Sequence, residues 1–335
     1  MKVLITGGAG FVGSQLGQHL HRRGDEVVLL DNMSFGHLDN LVMDGRPFGR
    51  FVCADVRDED LEQYFAGVEV VVHLAGIAAL PVCQQRPGEA YDVNTAAVGN
   101  VLEAARRAGV RRVLFSSTSA VYENNKSPAF DEAETVQPDL VYASTKAAAE
   151  LVCDGFARNY GMDIVVCRFF NVYGPHQDVL RTSPPFTSYV ARELVCGRTP
   201  HLFNQSDVRR DYVYVDDVVD LLVRMMEADG RFAAERFNIC SGRGYSVPEL
   251  YQMFRTASGT DTEPSYGDPE RFWDAYPVLF QGNCPLSRER IVKEVYKEAI
   301  GKPDKARERF GWTAKVAIED GIAAVYADAK RRLGG

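Results

Sequence analysis

Tyr142 and Lys146 stand four residues apart in "VYASTK". On a helix that spacing puts both side chains on one face. A tyrosine, with a pKa near about 10, is a poor base alone, but a neighbouring ammonium favours its phenolate. By itself the pair reads equally as a core tyrosine beside a surface lysine. Four hydroxyl residues, Ser116, Ser117, Thr118 and Ser119, follow the apolar "RRVLF". Such residues often end a strand and bond to nearby backbone. Any of them could instead meet a substrate. Ala120, which follows them, can exchange no proton.

A glycine constellation lies near the amino terminus. In "ITGGAGFVGSQL", Gly7, Gly10 and Gly13 are spaced G-x-x-G-x-x-G after an apolar run and before a helical pattern. A tight turn needs glycine, a backbone approaching a pyrophosphate leaves no room for a Cβ, and a helix N-terminus favours an anion. Phe11 and Val12 lie at that helix start and read as contacts of the same cofactor. Asp31 ends the second apolar run, with Asn32 beside it. A carboxylate there accepts hydrogen bonds from ribose hydroxyls and repels a 2′-phosphate, which points to NAD rather than NADP. Asp55 and Val56, in "ADV", are placed to meet the adenine. Leu74, Ala75 and Gly76, in "HLAG", end a further strand at the edge where ligands bind in open α/β sheets.

These residues require a scaffold that alternates strands and helices. "KVLIT", "EVVLL", "RFVCA", "EVVVHLA", "RRVLFSS" and "DIVVCRFF" are continuous apolar runs. The stretches between them are helical at about 11–23, 58–65, 87–108 and 139–160. That pattern predicts an α/β fold, a Rossmann-type doubly wound parallel sheet covered on both faces. Residues 1–170 form the expected NAD-binding domain and 171–335 a smaller, mainly substrate-binding region packed on it. Helices are expected near 186–196, 216–229 and 247–257, with two more near the carboxyl terminus. Residues 259–302 carry aromatics and charges with little periodicity, so that segment is either functional or structured in a way periodicity does not reveal.

Bulk composition narrows the function classes. The chain of 335 residues is 46% hydrophobic and 25% charged, as in an ordinary globular protein. Its net charge of -8 argues against a nucleic-acid partner. No apolar run is long enough for a membrane span, and "MKVLITGG" lacks the features of a signal peptide, so a cytoplasmic protein is expected. Seven scattered cysteines without a C-x-x-C pair, and six histidines without ligand spacing, predict reduced thiols and no metal site.

Taken in order, "TGGAGFVG", "DN", "ADV", "HLAG", "FSSTSAVY", "YASTK", "RFFNVYGP", "RDYVYVDD" and "FNICSG" resemble the extended short-chain dehydrogenase/reductase family, in particular its nucleotide-sugar epimerases and dehydratases. The resemblance covers about residues 1–255, with a weaker echo in "GKPDKARERFGW". It implies an NAD that stays bound and is recycled. Tyr142 would take the proton from a sugar hydroxyl, and Lys146 would hold the nicotinamide ribose and lower the tyrosine pKa. Thr118 matches the family's catalytic Ser or Thr and would hydrogen-bond the reacting oxygen. Ser116 and Ser117 would support the cofactor or backbone. Asn94 fits an asparagine near the cofactor, or a helix-internal structural role.

The resemblance also bears on the reaction. The 4,6-dehydratases carry Asp-Glu directly after the catalytic Thr, where this chain has Ser119 and Ala120. A 4-epimerase needs no such groups, because a transient 4-keto sugar is reduced from the opposite face. A UDP-sugar 4-epimerase is therefore expected, with a 4,6- or 5,6-dehydratase using other acid/base residues as the alternative. Asn171 and Arg210 match contacts of the nucleotide diphosphate. Cys83 either faces the sugar or is a packed core cysteine. Arg271, Arg288 or Arg290 would supply a second phosphate arginine, because the family's usual element is replaced within 259–302. Relatives often dimerise through the helices at about 87–108 and 139–160, so a homodimer is expected.

Overall fold

The computed structural model of the chain describes residues 1–334. Its strands in chain order are β1 (Lys2–Thr6), β2 (Glu26–Asp31), β3 (Arg50–Cys53), β4 (Val70–His73), β5 (Arg112–Thr118), β6 (Ile164–Phe169), β7 (Asn171–Tyr173), β8 (Arg209–Tyr214), β9 (Glu235–Ile239) and β10 (Gly244–Ser246), with four two-residue strands besides. Seven of them form one sheet in the order β9-β6-β5-β4-β1-β2-β3. Every pairing in that sheet is parallel. Val3, Leu4 and Ile5 of β1 and Val70, Val71 and Val72 of β4 are buried on both faces, as continuous apolar runs require. The chain reverses direction across the sheet between β1 and β4, and the crevice at that switch point is where open α/β sheets bind ligands.

The helices are α1 (Phe11–Arg23), α2 (Leu80–Gln85), α3 (Pro87–Tyr91), α4 (Ala97–Arg107), α5 (Val141–Tyr160), α6 (Phe186–Val195), α7 (Val215–Glu227), α8 (Val247–Ser258), α9 (Arg288–Val295), α10 (Asp304–Phe310) and α11 (Ile318–Leu333). The helix expected at 87–108 runs from Pro87 to Arg107 with a π bulge inside it. A single π turn, Asp92–Ala96, separates α3 from α4. Asn94 sits on that turn with its side chain bonded inside the protein, and such turns often mark functional positions. The short helix expected at 58–65 is a 3-10 turn, Leu61–Tyr64.

The second half packs on the first. β9 joins the main sheet beside β6, while β7, β8 and β10 make a three-stranded sheet. Tyr173, Val190, Leu250, Phe254, Ile322 and Val325 form a separate core there. The aperiodic segment 259–302 is ordered by short anchors. Ser265–Tyr266 pairs with His201–Leu202, 3-10 turns span Pro269–Arg271 and Pro277–Phe280, and α9 follows. Trp273, Leu279 and Ile291 pack around Leu140, just ahead of α5. No helix among the described residues is long and apolar enough to cross a membrane.

Candidate active site

The turn after β1 is built from backbone. Gly7 has a φ of 69°, and a Cβ there would lie 2.9 Å from Ala75 N. A Cβ on Gly13 would approach Gly7 O to 2.2 Å, so the first turn of α1 rests directly on the loop. Gly10 is the N-cap of α1. Among the described residues no side chain caps this helix, and its first turn holds no acid. The N–H groups at Phe11 and Val12 therefore face outward from a positive helix end, which suits a pyrophosphate.

Asp31 closes the far end of this wall. Its Oδ2 accepts the Ala9 N–H at 3.0 Å and its Oδ1 accepts the Met33 N–H at 2.8 Å. Burial pushes its pKa up, and the two N–H groups oppose that. Each oxygen retains a lone pair for a ribose hydroxyl. Asn32 donates to Asp55 Oδ2 at 2.8 Å, and Arg57 donates to both Asp55 oxygens at 2.9 and 2.7 Å. Those Arg57 hydrogen bonds hold Asp55 well below the usual carboxylate range. Val56 is buried beside it. At the end of β4, the Leu74 N–H donates to Thr6 O at 3.1 Å and the Ala75 N–H to Thr6 Oγ1 at 3.2 Å. Gly76 approaches both Asn94 and Lys146, since a Cβ there would lie 2.9 Å from Asn94 Oδ1 and 3.4 Å from Lys146 Nζ. The glycine turn, the free helix end, the Asp31 carboxylate and the Lys146 ammonium together fit NAD.

The chemistry-bearing side chains come from two elements. Thr118 ends β5 and N-caps the 3-10 turn Ser119–Tyr122, accepting the Ala120 N–H at 3.1 Å. Its O–H is left to donate. Tyr142 lies in the first turn of α5, and Lys146 follows one turn later. Lys146 Nζ donates to Ser116 O at 2.8 Å, so it is the backbone of Ser116, not its hydroxyl, that meets the ammonium. Burial brings the Lys146 pKa down to about 8. Burial also pushes Tyr142 up to about 12, against the Thr118 hydroxyl, which favours the phenolate. In the ligand-free protein Tyr142 is thus protonated at neutral pH, and a cationic ring beside it would lower its pKa.

Several of the expected site residues already have partners within the protein. The Asn94 amide is committed within the protein: it accepts the Ile77 N–H at 2.8 Å and donates to Ile77 O at 3.0 Å and Thr145 Oγ1 at 3.2 Å. It cinches the loop after β4 to α5. Cys83 has no exposed surface, and its thiol donates to Ile77 O at 3.2 Å. Burial pushes that thiol up to about 12. Of its two readings, the packed one describes its surroundings, Ile77, Ala90 and the flank of Tyr142. Asn171 donates to Asp211 O at 2.7 Å. The Arg210 guanidinium donates to Lys297 O at 3.2 Å and to Glu294 O. Arg271 and Arg288 pair with Asp274 on the surface, whereas Arg290 is turned inward toward Glu123 and Asp139.

Two buried clusters have no counterpart in the sequence reading. Glu150 on α5 takes Arg168 of β6 in a two-pronged pair at 2.9 and 2.7 Å and accepts the Ser117 hydroxyl, while Arg168 also donates to Tyr122 Oη at 2.7 Å. An arginine inside the apolar run "DIVVCRFF" was the available signal, since a buried guanidinium demands a partner. His73, at the end of β4, has Nδ1 2.6 Å from Thr6 Oγ1 and is kept neutral by burial, its pKa down to about 3.

Residues 3–240 match the family described as NAD dependent epimerase/dehydratase. The UDP-glucose 4-epimerase of Mycolicibacterium smegmatis is 34% identical over 329 residues, covering 96% of each chain. The crystal structure of the Thermotoga maritima UDP-glucose 4-epimerase with UDP-glucose superposes with a TM-score of 0.86 at 31% identity, covering 99% of this chain and 100% of that one. The Thermus thermophilus UDP-glucose 4-epimerase in complex with NAD gives a TM-score of 0.81 at 28% identity, covering 98% and 99%. With the glycine turn and the Thr118, Tyr142 and Lys146 cluster inside the matched residues, the chain belongs to the NAD dependent epimerase/dehydratase family.

Proposed function

We propose that the protein is an NAD-dependent nucleotide-sugar 4-epimerase acting on a UDP-hexose, UDP-N-acetylhexosamine or UDP-uronate. One observation carries this reading over dehydration. The turn after Thr118 carries Ala120, which has no proton to exchange, at the second position after the threonine. The next acid along that turn, Glu123, is buried with Oε2 accepting two backbone N–H groups, at Asp139 and Leu140. An acid/base step at C5 or C6 therefore lacks its group, whereas inversion at C4 needs none.

Tyr142 takes the C4 hydroxyl proton as general base and returns it after the sugar has turned over. Thr118 donates to the reacting oxygen and holds it within reach. NAD, when bound, supplies the hydride acceptor at C4 and gives the hydride back. Lys146 steadies the ribose and favours the Tyr142 phenolate. Gly7, Gly10, Phe11, Val12 and Gly13 receive the pyrophosphate, Asp31 and Asn32 the adenosine ribose, and Asp55 and Val56 the adenine. Leu74, Ala75, Gly76 and Ser116 line the nicotinamide side, and Asn94 braces it. Asn171 and Arg210 turn from their protein partners to the substrate diphosphate. Residues 1–170 serve mainly the cofactor and 171–335 mainly the substrate.

The working form is a homodimer through α4 and α5, whose packed pair leaves Leu151 and Tyr160 at 67% and 59% exposure. A cytoplasmic location agrees with the seven free cysteines. NMR of UDP-glucose, UDP-N-acetylglucosamine and UDP-glucuronate incubated with the protein tests the reaction. Inversion at C4 with no net NADH is expected. Loss of water without inversion would overturn the epimerase in favour of a dehydratase.

A further inference from the structure

α5 carries Tyr142 in its first turn, yet its own sequence supplies no cap. The N-cap position is Leu140, which has no side-chain acceptor. The N–H groups there are met from distant residues. Glu123 Oε2 accepts the Asp139 N–H at 2.9 Å and the Leu140 N–H at 2.8 Å, and Gln84 Oε1 accepts the Val141 N–H at 3.2 Å. A carboxylate in that place also complements the positive end of the helix.

The other oxygen of Glu123 faces the aperiodic segment. The side chain is 1% exposed, and Oε1 has no hydrogen-bond partner among the described residues. It lies 3.4 Å from Arg290 Nη2 and 3.7 Å from Lys297 Nζ. Arg290 Nε is 2.6 Å from Asp139 Oδ2, so the same arginine reaches both the carboxylate and the residue whose N–H that carboxylate holds. The carbonyls of Glu294 and Lys297, in the same stretch, receive Arg210. A buried carboxylate held by backbone on one side and by cations on the other is costly to leave half-partnered.

We propose that Glu123 is a positioning residue that fixes the start of α5, and with it Tyr142, against the cationic face of residues 290–297. The segment 259–302 thereby sets the alignment of the catalytic helix. Its catalytic consequence rests on the reading of Tyr142 as proton acceptor.

The test uses Glu123→Ala, Glu123→Gln, Arg290→Ala and the Glu123→Gln/Arg290→Ala double variant in the NAD-bound protein. The readouts are kinetics on UDP-glucose, UDP-N-acetylglucosamine or UDP-glucuronate, whichever is turned over, and amide hydrogen exchange over 139–146. Glu123→Ala is expected to lower kcat by about 10-fold or more with KM within about 3-fold, and to speed exchange at 139–142. Glu123→Gln keeps an oxygen for both N–H groups and restores kcat to within about 3-fold of the parent. Arg290→Ala leaves a buried carboxylate short of a cation, so the double variant should turn over faster than Arg290→Ala alone, by about 3-fold or more. Parental kcat and exchange in Glu123→Ala, a loss confined to KM, or additive losses in the double variant would overturn the proposal. If Glu123→Ala does not fold, the Glu123→Gln and Arg290→Ala cycle decides. Tyr142→Phe separates the two failures: if it turns over normally, the base assignment is wrong, and hydrogen exchange alone judges Glu123.

Discussion

The glycine turn over residues 7–13 and the charged cluster around Arg210 both border the carboxyl edge of the sheet, and different forces hold them. The turn is backbone against backbone: Gly13 lies on Gly7 O, and Gly7 lies on Ala75. It has no side-chain charges to balance, and its anion-binding N–H groups stand ready without rearrangement. The other wall sets Arg210, Arg290 and Lys297 against Glu123, Asp139 and Glu294 at separations from 2.6 to 3.8 Å. Its charges are already matched within the protein. On the proposed function, a diphosphate at Arg210 would have to displace the Lys297 and Glu294 carbonyls that now hold its guanidinium, so affinity on this side would be a difference between two sets of contacts. On the proposed function the cofactor wall is rigid, and the substrate wall is adjustable because it exchanges protein partners for the diphosphate that every UDP-sugar shares.

The largest effect that could break this contrast is at the rigid wall. Gly13→Ala forces a Cβ to 2.2 Å from Gly7 O, so the turn or α1 must move. A stability loss of about 4 kcal/mol or more is expected, with little NAD retained on purification. Urea denaturation and the NAD released on acid treatment measure both. Parental stability with full NAD would show that the turn yields as readily as the charged wall. Tyr142→Phe comes next. Its hydroxyl interacts with the Thr118 side chain, and its removal should lower kcat for C4 inversion by at least about 10²-fold while NAD stays bound. An unchanged rate in the NMR assay would remove the base from the mechanism.

The same contrast explains what could be read from sequence. Gly7, Gly10, Gly13 and Asp31 lie within one strand–helix–strand unit, and Tyr142 and Lys146 one helical turn apart, so their spacing carries the geometry. The π bulge in the helix at 87–107 left no trace in periodicity. The π turn follows from where the Asn94 amide must reach, which is the Ile77 backbone. Trp273, Leu279 and Ile291 come from three different short elements around Leu140, so their order in the chain has no period to detect. Nothing in "YENN" marks Glu123, and only the fold brings Arg290 and Lys297 to it. Cys83 fits a core or a pocket equally well by residue type, and the fold packs it against Ile77, Ala90 and Tyr142.

Lys146 gives a smaller effect with a defined pH signature. Below about pH 8 the folded and unfolded chains both carry its ammonium, and folding bears the full cost of burying it. As pH rises through 8 the folded chain releases the proton while the unfolded chain keeps it up to 10.5, so this group adds stability across that window. Lys146→Met removes the burial cost but leaves Ser116 O without its donor. NAD-free Lys146→Met should therefore be more stable than the parent by about 1–3 kcal/mol near neutral pH. Urea denaturation from pH 7 to 10 should show that advantage shrinking. A pH-independent difference would mean that the ammonium is hydrated in the crevice, and the rigid wall would then be wetter than its packing indicates.

Cys83 should give the smallest effect and places the boundary between the two walls. It packs among Ile77, Ala90 and Tyr142 with its thiol on Ile77 O. As a strut of the helix-supporting side, Cys83→Ala costs about 1–2 kcal/mol through the small cavity it opens. Its kcat and KM should stay within about 2-fold of the parent, because no transition-state contact is removed. If the thiol instead met the sugar in the closed complex, KM would rise by about 10-fold with stability little changed. The two outcomes separate in opposite measurements, denaturation against KM. A KM effect would extend the adjustable wall across α2 to the flank of Tyr142, and its absence would leave Cys83 a packing residue of the rigid one.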